Sequence, residues 1–399
     1  MNFIRKMHLK GFLSFAPESQ LIQLTALNVL IGPNGAGKSN FIEALELLHA
    51  APTDFSEPIR IGGTALEWLW KGSSTPKPAS ISANLSLHPE FLKELNYRVS
   101  FRESKNRLEI VDEALEESTP RSPGEDDVFF YYRYQQGHPV INVRQVQEEG
   151  ERKYIKRTLQ RETLNPEQSV FSQKKDSDVY PEITLVASKF SQMQIFREWS
   201  FGRGAPLRMA QPANLSGETL LPNLVNLGLV LNHLEHRDEW SRFLKLMNRF
   251  LPRFKRVSTK VVGGSVEINL HEDGLKTPVP ATRLSDGTIR FLALLAILLN
   301  PESTPLLCIE EPELGLHPDA LAIIAELLVE ASQRTQLIVT THSDAMVSAL
   351  TEQADSVLVS EYLSNGTEFR RLESEKLRHW LQKYKLGELW RIGQIGGNL

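Results

Sequence analysis

One stretch constrains this chain more than any other: Leu27-Asn-Val-Leu-Ile-Gly-Pro-Asn-Gly-Ala-Gly-Lys-Ser-Asn40. Gly32, four residues, then Gly37-Lys38-Ser39 is the spacing of a phosphate-binding loop. Leu27, Val29, Leu30 and Ile31 form a short apolar run, the mark of a buried strand. Phe41 to Leu48 comes next with apolar residues at 41, 42, 45 and 48, a helical spacing. Gly32, Gly35 and Gly37 permit turns closed to residues with a side chain. The N–H groups of the loop Asn34, Gly35, Ala36, Gly37, Lys38, Ser39 and Asn40 can then surround a phosphate at the positive end of the helix. Lys38 supplies a mobile charge for the outer phosphates, and Ser39 offers a hydroxyl to Mg2+. The prediction is an α/β protein that binds a nucleoside triphosphate.

The use made of that binding must be read from the rest of the 399-residue chain. A hydrophobic content of 41% with 24% charged residues is ordinary for a soluble globular protein. A net charge of −4 excludes a basic wrapper of nucleic acid, so such contact would need a local patch. The single cysteine, Cys308, excludes internal disulfides and fits a reducing cytosol. Met1 to Met7 lacks the apolar core of a signal peptide, and Phe291 to Leu299 is half a membrane span. A cytoplasmic protein without membrane contact is expected.

Along the chain, residues 3–15 alternate weakly and predict strands leading to the phosphate loop, with Lys10 and Ser14 either near nucleotide or on an edge strand. Ala50 to Pro78 reads as a looser region. Strand patterns then recur around Ile81–Leu87, Tyr97–Phe101 and Leu108–Val111. Glu113 to Asp127 reads as an acidic loop, and Val128 to Tyr134 as an aromatic strand, either sheet core or base-stacking. Arg152 to Arg161 is the most basic run, either a solvated face or a phosphate contact. Ile183 to Phe196, Leu220 to Leu234 and Trp240 to Leu251 read as helices, and Val257 to Leu270 as a hairpin around Gly263-Gly264.

Three later segments carry chemistry. Thr282-Arg-Leu-Ser-Asp-Gly-Thr288 precedes an apolar helix, and Ser285 before a helix N-terminus is either a plain cap or a second anion site. Pro305-Leu-Leu-Cys-Ile-Glu-Glu-Pro-Glu313 is an apolar strand ending in Glu310 and Glu311. One carboxylate there can help hold Mg2+, and the next can orient or deprotonate water. Gln336-Leu-Ile-Val-Thr-Thr-His-Ser343 is a strand ending at His342, which could hydrogen-bond a phosphate or the attacking water. Ser343 or Asp344 would cap a helix over 345–350.

The set GPNGAGKSN, RLSDG, PLLCIEEPELGLHP and TTHS resembles the ABC-type ATPase heads of the SMC, RecF and OLD class. The tail Trp380…Leu386-Gly-Glu-Leu-Trp390…Gly397 is similar to that of a bacterial predicted-ATPase group in that class. The resemblance implies a P-loop NTPase of ABC-ATPase-head type with an inserted antiparallel β region and a helical lobe. The boundaries expected are 1–60 and 280–360 for the nucleotide core, 61–180 for the β region, 181–279 for the helical lobe and 361–399 for a C-terminal extension. It implies ATP and Mg2+ as cofactors, Ser285 and Gly287 as the signature, Ser39 and Glu310 near the metal, Glu311 as catalytic base and His342 as switch. Glu310 stands where most such heads have Asp, and Asp286 replaces a glycine of the transporter signature. The Q-loop glutamine stays open among Gln135, Gln136, Gln192 and Gln194.

The same resemblance implies a homodimer around two ATP. OLD nucleases carry a TOPRIM domain, for which the 57 residues after His342 (399 minus 342) are too few. The expectation is therefore a role in bacterial defence through a separately encoded effector, such as a TOPRIM-like nuclease. The alternative is a RecF-like repair ATPase touching DNA or RNA through Arg152, Lys153, Lys156 and Arg157. A transporter subunit is disfavoured by the long middle insertion.

Overall fold

The computed structural model describes residues 2–122, 124, 127–135, 137–146, 152–197, 199–302 and 304–397. Its centre is a six-stranded sheet in the order β10 (Gln194–Phe196), β15 (Leu306–Glu310), β16 (Gln336–Thr340), β3 (Leu27–Ile31), β17 (Val357–Leu363) and β18 (Gly366–Arg371). All pairings are parallel except β17 with β18. The three middle strands are apolar and buried nearly throughout, as strands covered on both faces must be. Alternation divides them between two cores. Val29, Ile31, Leu307, Ile309, Leu337 and Val339 face one, while Leu30, Leu306, Cys308 and Ile338 face the other.

The first core is closed by helices α5 (Leu227–Leu234), α6 (Trp240–Phe250), α7 (Asp286–Leu298), α8 (Pro318–Ala331), α9 (Asp344–Ala349) and α11 (Leu386–Arg391), with α10 (Ser374–Leu381) at its margin. A small antiparallel sheet of β11 (Gln211–Pro212), β13 (Ser265–Glu272), β12 (Phe254–Val262) and β14 (Val279–Pro280) lies beside them. The second core lies under α1 (Lys38–Ala50), α2 (Glu57–Ile61), α3 (Val170–Gln173) and α4 (Pro181–Ser191). An eight-stranded antiparallel sheet covers it, in the order β2 (Ile22–Gln23), β1 (Ile4–Lys10), β4 (Ala79–Leu85), β5 (Leu95–Ser104), β6 (Arg107–Glu117), β7 (Phe130–Gln135), β8 (His138–Val146) and β9 (Arg152–Thr158).

Several sequence-based expectations need correction. The segment ending at Phe196 is not helical throughout: α4 stops at Ser191, and 194–196 joins the parallel sheet beside β15. The helix expected from Leu220 begins only at Leu227. The turns before it are tied by buried Asn226, whose amide reaches the carbonyls of Ser216 and Thr219, both at 2.8 Å. Glu113 to Glu117 is strand rather than loop. Tyr97 and Ser169 hydroxyls hold buried Glu113, and Lys93, Arg121 and Tyr131 hold buried Glu117, so the acidic composition hid the strand. Residues 50–78 include α2 and a short 3-10 turn over Ala65–Trp68. Strands β1 and β2 pair with the antiparallel sheet, not with the nucleotide strand β3, and β1 is not an edge strand.

The two large sheets meet at Gln336, which is fully buried. Its Oε1 accepts from Ile4 N–H at 2.8 Å, and its Nε2 donates to Ile4 O at 2.7 Å and Thr25 O at 3.0 Å. Gln336→Ala would strand these backbone groups in the interior. The expected loss is about 3 kcal/mol of unfolding free energy in urea. A loss below about 1 kcal/mol would show that the joint is made elsewhere.

Candidate active site

Parallel register sets the site. Glu310 pairs with Thr340, and Thr340 with Leu30, so three chain segments leave the sheet together at its C-terminal edge. There a cleft of about 170 Å³ is lined by Asn34, Gly35, Gly37, Lys38, Ser39, Asn40, Glu310, Glu311, Thr340 and His342. Ala36 is buried behind it.

The loop needs its glycines. Gly37 has φ 93°, and a Cβ there would lie 2.2 Å from Thr367 Oγ1. Gly32, at φ 146°, would place a Cβ 2.3 Å from Ser360 O. Lys38 Nζ donates to the carbonyls of Gly32 at 2.8 Å and Pro33 at 2.9 Å, which satisfies a buried ammonium. Burial holds this ammonium below its usual range, opposed by Glu311 and Glu310.

Ser39 Oγ donates to Glu310 Oε1 at 2.8 Å. Glu310 Oε2 accepts from Arg197 Nε at 3.0 Å, and its backbone carbonyl accepts from Trp199 Nε1 at 2.9 Å. Glu311 has φ 47°, a left-handed conformation that costs a residue with a side chain roughly 1–2 kcal/mol. Its N–H is held by Thr340, at 3.1 Å to the carbonyl and 3.2 Å to the hydroxyl. Arg290, on α7, reaches the Glu311 carbonyl at 3.4 Å.

His342 Nε2 lies 3.4 Å from Glu311 Oε1. The loop carrying it is fastened by Glu313 Oε1, which accepts from Thr341 Oγ1 at 2.6 Å and His342 N–H at 2.8 Å. Ser343 is the cap of α9, accepting from Met346 N–H. Burial first, then the Lys38 charge, holds the His342 imidazole below its ordinary value of 6.5, so it is neutral at pH 7. Glu311, Glu313 and Glu310 pull the other way.

Ser285 and Gly287 do not line this cleft. Ser285 is exposed and caps α7 by accepting from Thr288 N–H at 3.1 Å. Gly287 packs so closely on the Gly315–Pro318 turn that a Cβ would lie 2.9 Å from Gly315 O. Asp286, the departure from the transporter signature, pairs with buried Arg208, which also donates to Leu284 O at 2.6 Å and Ala281 O at 3.1 Å. Of the candidate glutamines, Gln135, Gln192 and Gln194 lie away from the cleft, and Gln136 lies outside the described residues. Lys10 is exposed at the end of β1 and away from the cleft. Ser14 braces the loop from behind, accepting at 2.7 Å from both Asn40 Nδ2 and Thr367 Oγ1. Sequence reasoning gave no role to Arg197, Arg208, Arg290 or Glu313: the three arginines lie outside the quoted motifs, and Glu313 lies inside one whose first two carboxylates took the attention.

The donor set fits a hard divalent cation. The Ser39 hydroxyl and Glu310 Oε1 are adjacent oxygen donors at the mouth of the phosphate loop. Among the described residues, no group of three or more His, Cys, Asp or Glu could hold a metal by itself. A site completed by phosphate oxygens and water has that character.

The surroundings of His342 make a signed expectation. In an NMR titration its midpoint falls below 6.5. Lys38→Met moves it upward by removing a cation, and Glu311→Gln moves it downward by removing a carboxylate. Opposite signs would refute this electrostatic account.

The family described as "AAA domain, putative AbiEii toxin, Type IV TA system" matches residues 27–348. The Old nuclease of Escherichia phage P2 is 43% identical over 79 residues, which are 20% of this chain and 13% of that protein. An SMC head solved with the C-winged helix domain of ScpA superposes with a TM-score of 0.58 at 15% identity, over 94% of this chain and 99% of that one. The SMC head domain with a coiled coil and joint from Pyrococcus yayanosii gives 0.56 at 12%, over 96% and 99%. At such identity these two structures speak to the fold. The family match covers most of the chain and the whole cleft, so this protein belongs to that AAA-domain family of ATPases and has the fold of an SMC head.

Proposed function

We propose that the chain hydrolyses ATP in the cleft between its phosphate loop and Glu311, and that two copies close around two ATP molecules. The observation that carries this reading is the convergence of Lys38, Ser39, Glu310, Glu311 and His342 on one opening. Lys38 exchanges the Gly32 and Pro33 carbonyls for the outer phosphates of ATP. Ser39 and Glu310 hold Mg2+, which neutralises charge on the outer phosphates. Glu311 takes the proton of the attacking water, and neutral His342, 3.4 Å away, steadies that carboxylate and senses the γ-phosphate. Ser285 stands exposed and Gly287 half-buried, both outside their own cleft, which supports their capping the ATP of a second copy. Closure with ATP and opening after hydrolysis is then a nucleotide-biased population shift.

In the cell, we assign this cycle to bacterial anti-phage defence through a separately encoded effector, such as a TOPRIM-like nuclease. The family description and the match to the Old nuclease support the assignment. Action in the cytoplasm is part of this assignment; among the described residues no helix is long and apolar enough to cross a membrane.

A second reading, contact with DNA, has its own observation. Lys153, Lys156 and Arg157 are exposed on β9, the outermost strand of the antiparallel sheet. Charge reversal at these three residues should then abolish salt-sensitive DNA binding while ATP binding persists.

Glu311→Gln should bind ATP as the parent does and hydrolyse it about a hundredfold more slowly or worse. With ATP and Mg2+ it should run as a dimer in light scattering, and Ser285→Arg should hold that variant monomeric. Hydrolysis at the parent rate would unseat Glu311, and a monomer under all nucleotides would unseat the sandwich. Phage plating on cells carrying this gene and its neighbours should lose protection when Lys38→Ala is introduced. Unchanged protection would separate the ATPase from defence.

A further inference from the structure

Strand β10 pairs in parallel with β15, and Phe196 stands opposite Ile309. The next residue, Arg197, is therefore level with Glu310. Its guanidinium makes three ion pairs. Nε donates to Glu310 Oε2 at 3.0 Å, one terminal nitrogen to Glu46 at 2.9 Å and the other to Glu43 at 3.3 Å. Glu43 and Glu46 come after Ser39 on α1 by four and seven residues, so all three share one helix face. Arg197 thus ties Glu310 to the same helix face that presents the Ser39 hydroxyl.

The consequence falls on Glu310. Its side chain has one more rotatable bond than the aspartate usual at this place, and hence more ways to point wrongly. Arg197 takes Oε2, and the other oxygen, Oε1, meets Ser39 Oγ at 2.8 Å. Trp199, two residues on, holds the Glu310 backbone carbonyl at 2.9 Å, so the same short segment fixes both ends of the residue. The planar fork of arginine bridges three carboxylates at once, which a lysine head cannot do in the same geometry.

We propose that Arg197 is a positioning residue of the ATPase: it clamps Glu310 so that a single carboxylate oxygen faces the Ser39 hydroxyl and the metal. The proposal rests on reading the cleft as the Mg-ATP site. Charge alone predicts the opposite of positioning. Removing a cation from beside Glu43, Glu46 and Glu310 would draw Mg2+ in more strongly, whereas losing the clamp weakens the metal-dependent part of nucleotide binding.

The sign of that change is the test. The affinity of a fluorescent, non-hydrolysable ATP analogue is measured with saturating Mg2+ and with EDTA, in the parent, Arg197→Gln and Arg197→Lys. The parent should bind more tightly with Mg2+. Both variants should keep the EDTA affinity and lose about tenfold of the Mg2+-dependent gain, with kcat falling by a similar factor. Arg197→Lys keeps the charge, so it reports on the clamp even where Arg197→Gln unfolds over its half-buried carboxylates. A Mg2+-dependent gain in Arg197→Lys equal to or above that of the parent would overturn the proposal. A parent without any Mg2+-dependent gain would instead refute the underlying reading of the cleft.

Discussion

The hydrogen-bonded parallel register of β15, β16 and β3 is the constraint on which the rest of the site depends. It fixes Glu310 opposite Thr340 and Thr340 opposite Leu30, so three loops start from one line. A shift of one residue would exchange the two faces of a strand and send each of its side chains into the opposite core. Because both faces are packed, the register cannot slip, and the cleft inherits that rigidity. Glu311 shows where it is felt. The chain must leave the sheet at once to open the cleft, and Glu311 does so at φ 47°, held there by both oxygens of Thr340. The strain sits where a carboxylate must turn out of a strand and into the cleft.

Behind the cleft, the C-terminal segment acts as a second layer of fixation. Gly387 lets α11 lie against the start of α9, where a Cβ would come within 2.0 Å of Asp344 O. The tail then returns to the base of the phosphate loop. Gly397 N–H donates to Glu361 at 2.9 Å, and a Cβ on Gly397 would stand 3.4 Å from Gly32. One segment therefore touches both the helix after His342 and the loop that holds Lys38. The glycines of this tail answer to close packing.

Much of the site was legible in the sequence because its residues come in fixed spacings imposed by backbone geometry. A loop that wraps phosphate needs Gly32, Gly35, Gly37, Lys38 and Ser39 in order, and a strand that ends in chemistry needs an apolar run before Glu310 and Glu311. The hairpin at Gly263-Gly264 was legible for a similar reason, since both glycines have positive φ, 56° and 80°. The illegible parts depend on distant partners. The edge strand at 194–196 is three residues long and looks like a helix end until β15 lies beside it. Glu113 and Glu117 look like loop residues until the hydroxyls and cations that satisfy them are known. Burial pushes Glu113 up to about 7, the mark of a carboxyl that sequence composition alone would leave in water. Linear division of the chain failed for β1 and β2 because pairing across Gln336, not order along the chain, decides which sheet a strand joins.

The arginines join these separate parts into one responsive unit. Arg197 grips Glu310 from the end of β10. Arg290, buried on α7, lies over the rings of Trp199 and Phe201 at 5.5 and 4.5 Å and reaches the Glu311 carbonyl. Arg208 holds Asp286 and the turn before α7. Gly287 rests on the turn just beyond Glu313, and Glu313 in turn holds His342. Thus the exposed ridge around Ser285 and the cleft around Lys38 are linked through buried Arg208 and Arg290 and half-buried Arg197 and Glu313. These links are polar and directional, and Arg290 bonds α7 to the Glu311 carbonyl at 3.4 Å. Here the charged groups lining the cleft and those shaping the ridge are joined through Arg290 and Glu313.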